Sequence, residues 1–186
     1  MTRSIESSVC FTESIYASNM EVSSTLAVLM EAERLRAQGV DVVDLGPGEP
    51  DFPTPENIKQ AAERAIEENF TRYTSTSGIA PLKNAIIKMM QREFGADYQP
   101  AEVIVTVGGK QAIFNAMASL LNPGDEVLIP APYWVTFPEI AKFLRAVPVI
   151  VDTEPNEFSL TAEEVKAAIT PKTKLLIINS PNNPSG

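Results

Sequence analysis

From about residue 100 onward the chain alternates short apolar runs with stretches of helical period. The runs are VIVTV (103–107), EVLIP (126–130), VPVIV (147–151) and LLIIN (175–179). Between them lie amphipathic segments at about 109–121, 133–145 and 162–169, the last opened by a Thr161 and Glu164 capping box. Strands that are apolar throughout, separated by helices, predict a mainly parallel sheet covered on both faces, a three-layer α/β/α arrangement.

Upstream the pattern is helical. Val22, Leu26, Leu29, Met30 and Ala37 form one stripe, with Arg34 and Arg36 in the last turn and Gly39 as the stop. Residues 40–45 (VDVVDL) read as a short strand. Gly46 to Pro55 carries four prolines in ten residues, so it must be an extended connector. Beyond it, Thr54 is placed to cap a helix with Pro55 at its first position and Ile58, Ala61, Ala62, Ala65 and Ile66 on one face. A second helix follows Pro81, with Leu82, Ile86, Met89, Met90 and Glu93 in its stripe and Gly95 at its end. The first twenty residues, rich in Ser, Glu and Thr, read as a mobile arm or an element ordered by a partner. The expected division is an arm (1–20), part of a small domain (21–47) and part of a larger one (48–186). Because the sequence stops at Gly186, inside the loop after its fourth predicted strand, it reads as the N-terminal portion of a longer protein.

Composition narrows the chemistry. In 186 residues, 15 Lys and Arg against 24 Asp and Glu give a net charge of −9, so a nucleic-acid partner would meet net repulsion. Histidine is absent, which removes Ser-His-Asp and Cys-His catalysis and histidine-based metal sites. The single cysteine, Cys10, forbids an intrachain disulfide and a thiolate cluster, so no metal site is expected. No run approaches the ~18 apolar residues of a membrane span, and a reduced cytoplasmic setting is the expectation.

In open α/β sheets ligands bind beyond the carboxyl ends of the strands, so the loops there should be read together. Gly108-Gly109-Lys110 opens a helix: two glycines allow close backbone approach, and free N–H groups at a helix start favour an anion. A tight strand-to-helix turn would look the same. Trp134, the only tryptophan, sits in Pro130-Ala131-Pro132-Tyr133-Trp134, where it could stack on a flat ring or pack as a core aromatic. Asn182-Asn183-Pro184 is either an Asx turn or a source of an amide donor, and Tyr73 is a loop tyrosine whose hydroxyl could reach a phosphate, or nothing.

Taken in order and at these separations, GEPDFPTP, YTSTSGI, VTVGGKQAI, PAPYWVTFP and NSPNNPSG closely resemble class I aminotransferases, pyridoxal-phosphate enzymes of fold type I. The nearest likeness is to the bacterial aspartate aminotransferases, and it runs from about Val22 to Gly186. Ser185 departs from the commoner threonine. The resemblance implies that Gly108, Gly109 and Lys110 match the cofactor-phosphate turn, Trp134 the aromatic stacked on the pyridine ring, and Asn183 the donor to its phenolic oxygen. Tyr73 would match a tyrosine reaching the phosphate of a neighbouring subunit, which implies a homodimer. Gly48 would match the glycine against the substrate's α-carboxylate; Ser24, Thr25 and Lys110 could serve its distal carboxylate.

Transamination also needs a lysine to bond the cofactor and shuttle a proton, a carboxylate on the pyridine nitrogen and an arginine for the α-carboxylate. In the family these follow the NNP[ST]G motif, and this sequence ends there. None of its lysines stands in the family's Ser-x-x-Lys or Ser-x-Lys setting, so no catalytic residue is assigned. The implied activity of the parent protein is transfer of an amino group between an amino acid, aspartate first, and a 2-oxo acid. Two other readings share the fold: a non-catalytic regulatory domain, for which the acidic arm lacks the expected basic DNA-binding helices, and a lyase or synthase using the same cofactor.

Overall fold

The structure, a computed structural model, describes residues 12–18, 24–46 and 48–186, without the side chains of Ser24 and Thr25. Cys10, Val22, Pro47 and the rest of the predicted arm lie outside the described residues. The chain forms two compact units: Phe114–Gly186 with the described residues through Ser24, and Thr25–Ile113.

The first unit is built on a three-stranded parallel sheet of order β2-β1-β3, with β1 Glu126–Ala131, β2 Val147–Asp152 and β3 Thr173–Leu176. β1 pairs with β2 in unbroken register from Glu126↔Val147 to Ala131↔Asp152. Against β3 the register shifts after Glu126↔Thr173, so that Val127 faces Leu175 and Lys174 is the extra residue. As the central strand, β1 holds the core: Val127, Leu128 and Ile129 are fully buried. Helices α5 (Thr136–Phe143) and α6 (Ala162–Ala168) pack on the sheet, α5 through Phe137, Ile140 and Ala141. α5 is shorter than the predicted 133–145 because Pro138 has no N–H to donate and is tolerated only in a first turn. At its other end Arg145 adopts a left-handed φ of 60°. α6 carries the predicted capping box: Glu164 N–H donates to Thr161 Oγ1, and Thr161 N–H donates to the Glu164 carboxylate at 2.8 Å. Within the stretch read as an arm, Ser18 N–H closes a turn on Ser14 O, and Tyr16 lies 5.8 Å from Phe143, ring to ring.

The second unit contains α1 (Ser24–Ala37), α2 (Glu56–Glu67), α3 (Ala80–Phe94) and the start of α4 (Gly109–Leu120). α1 exists as read, but the predicted stripe is not its inner face: Leu26 and Met30 are exposed, and Ala32 is the buried position. α2 begins at Glu56, not Pro55, and Thr54 makes no side-chain cap; the Pro55 carbonyl accepts from Ile58 and Lys59. Its apolar face, with Ile58 and Ile66, stays exposed. α3 ends at Gly95, where the N–H groups of Gly95 and Ala96 close on Gln91 and Met90 carbonyls. Two predicted strands are not strands. Residues 40–45 and 103–107 join no sheet among the described residues, and a strand is defined by its ladder. Val105 makes a single backbone bond of this kind, to Ser77 O at 3.0 Å.

Candidate active-site loops

Two of the sequence-predicted loops meet within the first unit. β1 runs out at Ala131 into Pro132-Tyr133-Trp134, and β3 runs out through Ile177, whose N–H still donates to Leu128 O, into Asn179–Gly186. Parallel neighbours deliver both loops to the same sheet end. They are tied by Asn182, whose side-chain amide donates to Pro132 O at 3.1 Å and to Ser185 Oγ at 2.7 Å. Asn183 is exposed, and its backbone N–H donates to Asn179 Oδ1 at 2.8 Å. The two neighbouring asparagines thus divide the work: Asn182 holds the loop, while the Asn183 side chain stands at its surface. The Ala131-Pro132, Ser180-Pro181 and Asn183-Pro184 peptides are cis.

Trp134 is half buried. Its ring meets Phe137 edge to face, with centroids 5.6 Å apart and planes at 85°. The two loops line a cavity of about 240 Å³ with Ile129, Pro132, Tyr133, Phe137, Thr153 and Asn182 among others, Trp134 not being one of its lining residues. Buried Thr153 closes its floor by donating its hydroxyl to Ala131 O. Neither Asn182 nor Thr153 stood out in the sequence; the signal for Asn182 was its place in an Asn-Asn-Pro triplet, which gives no order of rank between the two amides.

The other predicted residues, Ser24 apart, lie in the second unit. Gly108 has a left-handed φ of +79°, and a Cβ built on Gly108 or Gly109 would meet no atom within 4 Å, so the start of α4 is an open backbone turn. The turn is braced from both sides: Thr106 Oγ1 donates to Gly108 O at 2.8 Å, and Val107 N–H donates to Gln111 Oε1 at 2.7 Å. The first N–H groups of a helix have no partner within it and carry its positive end, so this turn suits an anion. Lys110, second residue of α4, is exposed. Tyr73 is fully exposed on the loop before α3, and Gly48 lies in the extended connector with open space around it. Ser24 begins α1 and Thr25 follows, but the part their side chains would play lies outside the described residues.

Taken each in its own unit, an open glycine turn at a helix start is of a kind that suits a phosphate, and a half-buried indole is of a kind that suits a flat ring such as that of pyridoxal phosphate. The family described as aminotransferase class I and II matches residues 40–186. Over 165 residues the chain is 52% identical to aspartate aminotransferase of Geobacillus stearothermophilus, covering 88% of this chain and 42% of that protein. It is also 52% identical to aspartate/prephenate aminotransferase of Cereibacter sphaeroides, with 88% and 41% covered. Aspartate aminotransferase from Thermus thermophilus, solved with maleate, superposes with a TM-score of 0.89 at 48% identity over 94% of this chain and 46% of that one. The chain therefore spans less than half the length of the relatives it matches. With the match running through every loop described above, the chain belongs to the class I and II aminotransferases.

Proposed function

We propose that the protein to which this chain belongs is a pyridoxal-phosphate aminotransferase that moves an amino group between aspartate and a 2-oxo acid. The observation that carries this is the 52% identity to an aspartate aminotransferase across 88% of the chain, beside a family match over residues 40–186 that contains the glycine turn, the indole and the Asn-Asn-Pro loop. Gly108 and Gly109 would take the cofactor phosphate on backbone N–H groups, with Lys110 adding charge. Trp134 would lie against the pyridine ring, and the exposed amide of Asn183 would donate to its phenolic oxygen. Tyr73, fully exposed here, would reach a phosphate held by a second subunit, in a homodimer. When bound, the cofactor supplies an electron sink beside the substrate's Cα. Gly48, Ser24 and Thr25 would face the substrate's carboxylates. The proposed division is an N-terminal arm (1–20), a part of the small domain (21–47) and a part of the cofactor domain (48–186), in a cytoplasmic enzyme.

Prephenate is a second acceptor worth testing, because it appears with aspartate in the name of the Cereibacter relative. The experiment is turnover by the full-length protein with aspartate as donor and either 2-oxoglutarate or prephenate as acceptor. Saturable, cofactor-dependent oxaloacetate formation is expected. No transfer from aspartate to either acceptor would overturn the reading, and the ratio of the two rates ranks the acceptors.

A further inference from the structure

We propose that Lys83 is a positioning residue for the phosphate end of the cofactor, acting through Ser77 to hold the loop of Tyr73 against the segment that becomes the Gly108-Gly109 turn. The inference rests on the cofactor reading above. Lysine is almost never fully buried without a partner. Lys83, in the first turn of α3, is only 9% exposed, and its Nζ donates to Ser77 Oγ at 3.1 Å. No carboxylate among the described residues pairs with it. Its burial is therefore directed at one hydroxyl.

Ser77 passes the contact on. Its carbonyl accepts the Val105 N–H at 3.0 Å, and Gly78 presses on the same residue: a Cβ there would lie 2.5 Å from Val105 Cγ2. From Val105 the chain reaches Gly108 in three residues, through the Thr106 and Val107 bonds that brace the turn. Tyr73 stands four residues before Ser77 on the same loop. One line of contacts, Lys83 to Ser77 to Val105 to Gly108, thus joins the two places proposed to touch phosphate. Filling the space alone would not call for an ammonium, since a long apolar side chain would do so without burying charge.

The test uses the full-length protein and two probes, pyridoxal phosphate and pyridoxal, which differ only in the phosphate. Dissociation constants for both are measured in the wild type, Lys83→Met, Lys83→Arg and Ser77→Ala. The expected result is that Lys83→Met and Ser77→Ala each shrink the affinity ratio between the probes at least tenfold, that combining them adds little, and that Lys83→Arg recovers most of it. A merely structural lysine would lower the melting temperature and leave the ratio alone, which would overturn the proposal. Should Lys83→Met fail to fold, an unchanged ratio in Ser77→Ala overturns it equally. A wild type that binds neither probe would instead sink the cofactor reading beneath it.

Discussion

Glu164 shows how one side chain sets a local stability. The Thr161 N–H, then the Thr161 hydroxyl, and after them the Asn156 amide donate to its carboxylate and hold its pKa below the ordinary 4.5. A carboxyl whose pKa is depressed by folding stabilises the native state above its unfolded value and loses that contribution as pH falls through the folded one. Glu164→Gln should therefore be less stable than the wild type at pH 7, with the difference closing below about pH 4.5 toward zero. Parallel urea titrations across that range would show it, and a pH-independent gap would contradict it. Gly78 makes the opposite kind of demand, on space: its φ is +103° and a methyl group would collide with Val105. Gly78→Ala should cost about 2–4 kcal/mol, from the strained backbone plus overpacking, measured as a shift in the unfolding midpoint.

At the level of elements, the sheet divides into a sealed centre and an accessible margin. Leu128→Ala on β1 should destabilise by about 2–5 kcal/mol, while Ile150→Thr on β2, a residue 44% exposed, should stay within about 1 kcal/mol. Similar losses would contradict the central place of β1. The Asn182 amide is equally specific. Asn182→Asp puts an acceptor against the Pro132 carbonyl where a donor stood, so it should destabilise more than Asn182→Ala, which loses about 1–2 kcal/mol. These elements were legible to different degrees. α3, α4 and the α6 capping box follow from period and capping residues because each is closed by contacts near in sequence, while β1 and β2 show as continuous apolar runs that found partners in the sheet. Residues 40–45 and 103–107 have the apolar character of strands, yet pairing is a property of neighbours, which a local pattern does not contain. The positions of Trp134 and the glycine turn were readable from Pro and Gly punctuation. The ties by Asn182, Thr153 and Lys83 were not, since each bonds to a backbone or hydroxyl group that any sequence could supply.

Over the whole molecule, the notable feature is apolar surface left on extended segments. Leu45 is 92% exposed, Ile104 68% and Val107 88%, and neither segment joins a sheet among the described residues. Such edges recruit further strands. The 186-residue chain by itself should bind a hydrophobic dye and self-associate, despite its net charge of −9, and a dye-silent monomer would contradict this. The most direct trial of the central claim is a fluorescence titration of the full-length protein with pyridoxal phosphate, with Trp134→Phe as the blank that isolates this indole. If the cofactor ring lies on Trp134 and its phosphate on the turn, the isolated signal is quenched almost completely at one equivalent per chain, and Gly109→Asp abolishes the effect. An indole that keeps its emission while cofactor binds would place the coenzyme elsewhere.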